Sequence, residues 1–230
     1  MHVRVAYLHG FLGRPESWSA VRPRGEAVHI ALPGHGGGPV LDSWGSNVEA
    51  VARALGTCDV VVGYSLGGRV AIALVVAGYV SRAVLVSTNP GLANADRGPR
   101  RASDARWACL LRERGLAAFI DAWEAQPLFA SQVRVPAHTR QARREHRLAH
   151  DPEQLARVLE VMSPAEMPDY RSHIDRRFHH IVGADDAKYI AIARSLPAPV
   201  SIIEAAGHDP LFEQPAALAG CLDSSLAGFG

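Results

Sequence analysis

Short apolar runs alternate with longer amphipathic stretches along the first ninety residues of this 230-residue chain. Val3–Leu8, Ala27–Ala31, Val60–Val62 and Ala83–Val86 are rich in β-branched and aliphatic residues and lack the apolar/polar alternation of a half-solvated strand. Strands apolar on both faces belong to a parallel sheet covered by helices on each side. The stretches Ser46–Leu55 and Leu66–Ala77 have the length and period of the helices that cross between such strands. The pattern then changes. From about Arg97 to Arg177 no strand is predicted, and amphipathic segments at Arg100–Glu113, Leu116–Ala125, Arg140–Ala149 and Pro152–Val161 are interrupted by Pro127, Pro136, Pro152, Pro164 and Pro168. Strand-like residues return at His179–Val182 and Val200–Ile203, separated by a helix over Ala187–Ser195 and followed by one over Pro215–Leu226. The reading is α/β: a mostly parallel sheet of about six strands flanked by helices, with a helical cap inserted after the fourth. Residues 1–96 and 178–230 form the expected core, and 97–177 the cap.

Composition narrows the function classes. A net charge of +1 provides no basic field for nucleic acid, and no segment is apolar for long enough to span a bilayer. Met1-His2-Val3-Arg4-Val5 shows no signal-peptide pattern, so a cytoplasmic protein is expected. Cys58, Cys109 and Cys221 are odd in number and widely spaced in apolar surroundings, which predicts buried free thiols rather than disulfides or metal ligands.

Chemistry concentrates where the predicted strands end. Gly63-Tyr64-Ser65-Leu66-Gly67-Gly68 joins a strand to a helix, and glycines two residues before and after a serine let strand and helix approach at a sharp corner. His9 and Gly10 follow the first strand, Asp185 and Asp186 the fifth, and His208 the sixth. Ligands of open parallel sheets bind at those strand ends. A serine hydroxyl is a poor base or nucleophile until an imidazole accepts its proton, and that imidazole needs a carboxylate to set its tautomer.

The order Ser65, Asp186, His208 resembles the triad of the α/β-hydrolase superfamily. Asp186 is preferred over Asp185 as the acid from its place in Gly183-Ala184-Asp185-Asp186. His9-Gly10-Phe11-Leu12 is similar to the superfamily's oxyanion loop, implying that the N–H groups of Phe11 and Leu66 face a developing negative oxygen. Further segments sharpen the likeness: Leu32-Pro33-Gly34-His35-Gly36, the Arg69 that follows Gly67-Gly68, Asn89-Pro90-Gly91-Leu92, Ser103-Asp104-x-x-Trp107 and Trp123-x-x-Gln126-Pro127-Leu128-Phe129. With these the chain resembles, over nearly its whole length, the family of 2-succinyl-6-hydroxy-2,4-cyclohexadiene-1-carboxylate synthases of menaquinone biosynthesis. Two departures stand out: the sequence opens at the strand before the oxyanion loop, so the leading antiparallel hairpin common in the family is not expected here, and the acid loop carries two adjacent aspartates.

The resemblance implies a carbon–oxygen lyase that eliminates pyruvate from a small-molecule polycarboxylate, without metal or organic cofactor and with Ser65 as general base. It implies that Arg69, Arg100 and Arg147 bind carboxylates, Arg144 being the alternative to Arg147, and that His9, Tyr64 and Trp123 contact substrate. Arg97, Arg101, Arg106 and Arg143 read as solvated helix faces. A serine esterase or carbon–carbon bond hydrolase would use the same triad, with Ser65 as nucleophile, and a binding protein that kept the pocket but lost turnover is the non-enzymatic rival.

Overall fold

The computed structural model describes residues 3–21 and 26–228. Met1 and His2, which open the N-terminal reading, lie outside those residues, as do positions 22–25 and 229–230 of the expected core. Six strands, β1 (Arg4–Leu8), β2 (Glu26–Ile30), β3 (Val60–Tyr64), β4 (Arg82–Val86), β5 (Phe178–Gly183) and β6 (Val200–Ile203), form one sheet in the order β2-β1-β3-β4-β5-β6. Every pairing is parallel. The sheet is thus wholly rather than mostly parallel among the described residues, consistent with two-faced apolarity.

The period of two along each strand divides the core into two layers. Ala6, Leu8, Val61, Ala83 and Leu85 face α1 (Trp44–Leu55) and α2 (Leu66–Val76), while Val5, Tyr7, Val62, Val84 and Val86 face Trp18 and α8 (Pro215–Ala227). Helix α2 is buried almost all round, from Leu66 to Val75, which explains why its sequence is apolar apart from Arg69 rather than amphipathic. Each fully buried Leu, Ile or Val contributes about 1.5–3 kcal/mol from burial.

Between β4 and β5 the described chain contains no strand. It contains α3 (Asn94–Glu124), α4 (Ala137–Leu148), α5 (Pro152–Val161) and two 3-10 segments, Pro127–Arg134 and Arg171–His173. Helix α3 begins at Asn94, three residues before the expected cap boundary. It is interrupted at Gly115 (φ 74°, ψ 176°), a conformation glycine tolerates. The two amphipathic stretches expected on either side of that residue are thus two helices meeting at a kink. Ala108, Leu111, Phe119 and Ile120 of α3 pack against Leu155, Ala156 and Leu159 of α5 and reach Leu12 below them, giving this layer its own apolar cluster. Helix α6 (Ala187–Arg194) joins β5 to β6, and a short α7 (Pro210–Glu213), not anticipated from periodicity, precedes α8. Expected thiol burial fails for one residue: Cys58 and Cys221 are half-buried, but Cys109 is exposed on α3. All three are unpaired. Among the described residues no helix is long and apolar enough to cross a membrane.

Candidate active site

Ser65 sits at the corner between β3 and α2 with φ 50° and ψ −104°, a left-handed backbone that an L-residue adopts only under constraint. The flanking glycines supply that constraint. A Cβ on Gly63 would lie 2.4 Å from the Gly67 carbonyl oxygen, and one on Gly67 would lie 2.3 Å from the Leu8 carbonyl oxygen. Strand, helix and the turn after β1 are therefore in backbone contact, and the Ser65 N–H donates to the Val86 carbonyl at 2.9 Å. The chain cannot relax this corner without separating β1, β3 and β4.

Two further strand ends deliver the partners. His208 Nδ1 lies 2.8 Å from Asp186 Oδ2, and His208 Nε2 lies 3.4 Å from Ser65 Oγ. The carboxylate accepts from Nδ1–H, which leaves Nε2 as the acceptor facing the hydroxyl. Asp186 is itself held at the start of α6, where its Oδ1 accepts the Tyr189 N–H at 3.3 Å. Asp185 points away: its carboxylate pairs with Arg134 on the surface. The His208 ring is enclosed by Tyr189, Tyr64 and Phe129, with ring centroids at 4.4, 5.8 and 6.0 Å. His208 and Asp186 are both nearly inaccessible to solvent, so their hydrogen bond operates in a weakly screening environment.

A cavity of about 210 Å³ opens over Ser65 and His208, between the sheet edge and α3, α4 and α5. Of the residues expected at the site, Phe11, Tyr64, Ser65, Arg69, Arg100, Trp123, Arg147 and His208 all line it. Leu66 contributes its backbone at the helix start, and the N–H groups of Phe11 and Leu66 meet no acceptor among the described residues. The N-terminus of α2 adds a partial positive charge at the same point.

Its cationic lining is held in distinct ways. Arg69 donates to the Met162 carbonyl at 2.7 Å, and burial, with a smaller contribution from the neighbouring Arg100 charge, pushes its guanidinium down to about 9. Arg100 binds Asp104 at 2.7 Å, and Asp104 also accepts from Ser163 at 2.6 Å. Arg147 is buried against Glu124, and burial together with the charge of Arg143 holds it down to about 10. Cations placed at such a desolvation cost are stabilised by an incoming anion. Arg144, the alternative third position, instead pairs with Asp121 and does not line the cavity.

His9 requires correction. It does not line the cavity; it is fully buried behind the Gly10–Gly13 turn, with Nδ1 2.8 Å from the Gly10 carbonyl oxygen and Nε2 accepting the Leu32 N–H at 3.1 Å. Both ring nitrogens are occupied by backbone, and burial pushes the imidazole down to about 4, so it is a neutral brace of the turn. His35 repeats the arrangement by accepting the Leu12 N–H at 3.2 Å, and His150 reaches the Leu12 carbonyl at 3.3 Å.

Arg143 departs from its expectation as well. It lines the cavity and pairs with Asp209, the residue after His208, at 2.6 Å. The signal was present: Arg143 and Arg147 are four apart and share a face of α4. Phe129, the last residue of the Trp123–Phe129 motif, lines the cavity too, as do Tyr189 and Lys188, which no motif singles out. Among the described residues no three His, Cys, Asp or Glu side chains gather as a metal ion would require.

Comparison with known proteins agrees with this geometry. A profile described as the alpha/beta hydrolase family matches residues 5–220. The 2-succinyl-6-hydroxy-2,4-cyclohexadiene-1-carboxylate synthase of Salmonella typhimurium is 35% identical, the alignment covering 96% of this chain and 91% of the relative. The protein of that name from Klebsiella pneumoniae is 35% identical over 97% of this chain and 93% of its own length. Among solved structures, MenH from S. aureus superposes with a TM-score of 0.91 at 26% identity, covering 98% of this chain and 94% of that one. A thermophilic esterase from Thermogutta terrifontis shares the fold, with a TM-score of 0.74 at 23% identity, 98% of this chain and 90% of that one being covered. Matched by relatives of one name across almost its entire length, the chain belongs to the 2-succinyl-6-hydroxy-2,4-cyclohexadiene-1-carboxylate synthase family of the alpha/beta hydrolases.

Proposed function

We propose that this protein is the lyase of that family, eliminating pyruvate from 2-succinyl-5-enolpyruvyl-6-hydroxy-3-cyclohexene-1-carboxylate, with residues 97–177 as a cap over a core of 1–96 and 178–230. The observation that carries the reading is the continuous relay from Asp186 through His208 to Ser65 at the floor of a cavity walled by Arg69, Arg100 and Arg147.

In this mechanism His208 Nε2 takes the Ser65 hydroxyl proton while the serine oxygen takes a proton from a ring carbon. The released electron pair shifts around the ring and breaks the carbon–oxygen bond to the enolpyruvyl group, which departs as the pyruvate enolate. The proton held on His208 then returns through Ser65 or reaches the enolate carbon, giving pyruvate. No bond forms between Ser65 and substrate. Positioned proton transfer contributes about 10²–10⁴-fold. The rest of the acceleration falls to the fixed N–H donors of Phe11 and Leu66, which suit the departing enolate oxygen, and to guanidinium groups that hold the carboxylates in one orientation. The Ser65–His208 separation of 3.4 Å puts the hydroxyl within reach of Nε2, and in this mechanism the contact shortens as the proton moves. Arg69 favours a polyanion for a reason visible in its surroundings: its only hydrogen-bond acceptor among the described residues is a backbone carbonyl.

The test is incubation with the enolpyruvyl substrate while pyruvate is followed, beside a panel of activated esters. Stoichiometric pyruvate with no acyl-serine adduct by intact-mass spectrometry is expected. Ester turnover through a covalent Ser65 adduct, with no pyruvate, would overturn the assignment in favour of a hydrolase.

A further inference from the structure

A second cavity, of about 290 Å³, lies behind the first, between α4 and the 3-10 turn Pro15–Trp18. The two are not independent. Phe11, Tyr64, Arg143 and Arg147 belong to the walls of both, so these four side chains form a partition. The far rim includes Glu16, Ser17, Ser19 and Ala20, all exposed, so the second cavity leads from the partition to solvent.

The partition is incompletely bonded. Arg143 uses Nη2 on Asp209 at 2.6 Å and lies over the Phe212 ring at 4.1 Å, yet its Nη1 is buried without a partner. Arg147 Nε and Asp209 Oδ1 are likewise buried and unpartnered among the described residues, in side chains only 4% exposed. Buried polar groups left unpaired are costly, and they cluster here at one point between two spaces. A ligand that satisfies two guanidinium donors is a carboxylate. Beyond them the second cavity presents Leu12, Leu211 and Phe212 alongside Arg14, Glu16 and His146, a mixed lining that takes a short body with an apolar end and one carboxylate.

We propose that this second cavity receives the departing C3 2-oxo acid, and that Arg143 passes it across the partition by donating its free Nη1 to the product's carboxylate while Nη2 stays on Asp209. The inference rests on the pyruvate-eliminating reading above, which supplies a leaving group of this size and charge on the Phe11 side of Ser65. Tyr64, a neutral phenol whose ionisation burial opposes, stands at the same partition and adds no competing negative charge. The bulky ring product stays in the first cavity while the small one leaves by a separate route.

Inhibition of turnover by added sodium pyruvate tests this. Removing both charges of the partition pair together, as Arg143→Met/Asp209→Asn, avoids leaving Asp209 buried and unpaired. Ala20→Trp fills the rim without touching any charge. Pyruvate is expected to inhibit the unaltered protein, and its inhibition constant is expected to rise about 10-fold or more in each variant, the effect of losing a hydrogen-bonded charge or the space itself. Unchanged inhibition constants in variants that still turn over substrate would overturn the proposal, as would an unaltered protein that releases pyruvate yet is not inhibited by it. Failure of the unaltered protein to release pyruvate at all would instead sink the underlying lyase reading.

Discussion

The left-handed backbone at Ser65 makes a quantitative prediction that separates strain from chemistry. Ser65→Ala and Ser65→Gly both remove the hydroxyl, so both are expected to lower kcat/KM for pyruvate release by at least about 100-fold. Their stabilities should differ in a direction opposite to the usual one. In the interior of a helix or strand glycine is the less stable choice by about 0.5–1 kcal/mol relative to alanine. Here φ is 50° and ψ is −104°, so any residue with a Cβ carries about 1–3 kcal/mol of backbone strain that glycine escapes. Glycine's greater freedom in the unfolded chain offsets about 0.4–1 kcal/mol of that gain. At the middle of those ranges Ser65→Gly is expected to exceed Ser65→Ala by about 1.3 kcal/mol, or roughly 3–5 °C in Tm for a chain of this size. Urea denaturation of the two variants, with equal m-values, measures the difference directly. A Ser65→Ala protein as stable as Ser65→Gly, or more so, would refute the claim that the corner is strained and held by its surroundings. The same strain aims the hydroxyl into the cavity, so the stability lost at this residue is tied to its placement.

Three further outcomes are expected. Asp186→Asn should lower kcat by about 10³–10⁴-fold, because an amide N–H facing His208 Nδ1 reverses the imidazole tautomer, whereas Asp185→Asn should change it less than about 3-fold, since it removes only a surface pair worth about 0–1 kcal/mol; steady-state kinetics of both variants decides. Gly67→Ala should cost about 3 kcal/mol or more by denaturation, since its Cβ would fall 2.3 Å and 2.5 Å from the carbonyl oxygens of Leu8 and His9, both backbone atoms that cannot step aside. His180, buried in β5 with both ring nitrogens unpartnered among the described residues, is pushed down to about 4 by burial. The unfolded chain then binds the proton more readily between pH 6.5 and 4, and stability should fall as pH drops through that window; His180→Leu should reduce the loss between pH 7.5 and 5 by about 2 kcal/mol, read from urea melts at the two pH values.

How much was legible in the sequence follows from the range of each interaction. The six strands, the kinked pair of helices at Gly115 and the serine corner are written in residues two to five apart, where side-chain period, glycine freedom and proline placement act locally. Boundaries came within a few residues for that reason. The start of α3 lies outside the periodic pattern because Asn94–Asp96 are exposed and, with Arg97, form no apolar stripe, and α7 lies outside it because four residues are too few to show one. Family motifs then pointed to Ser65, His208 and the cavity arginines before any contact was known.

Selection among equivalent residue types was a different matter. Asp185 and Asp186 are chemically identical neighbours, yet only the second lies against His208, 22 positions away, while the first turns to Arg134. His9 and His208 both follow strands, but the first is consumed by the backbone of Gly10 and Leu32 and the second stands 3.4 Å from a serine 143 residues away. Arg143 read as a solvated helix position until packing set α4 over the histidine loop and gave it Asp209. Local sequence determined which elements exist and which chemistry they offer; tertiary packing decided which copy of each group meets a partner, because contacts between distant segments depend on how two layers close over each other and leave no periodic trace in the chain.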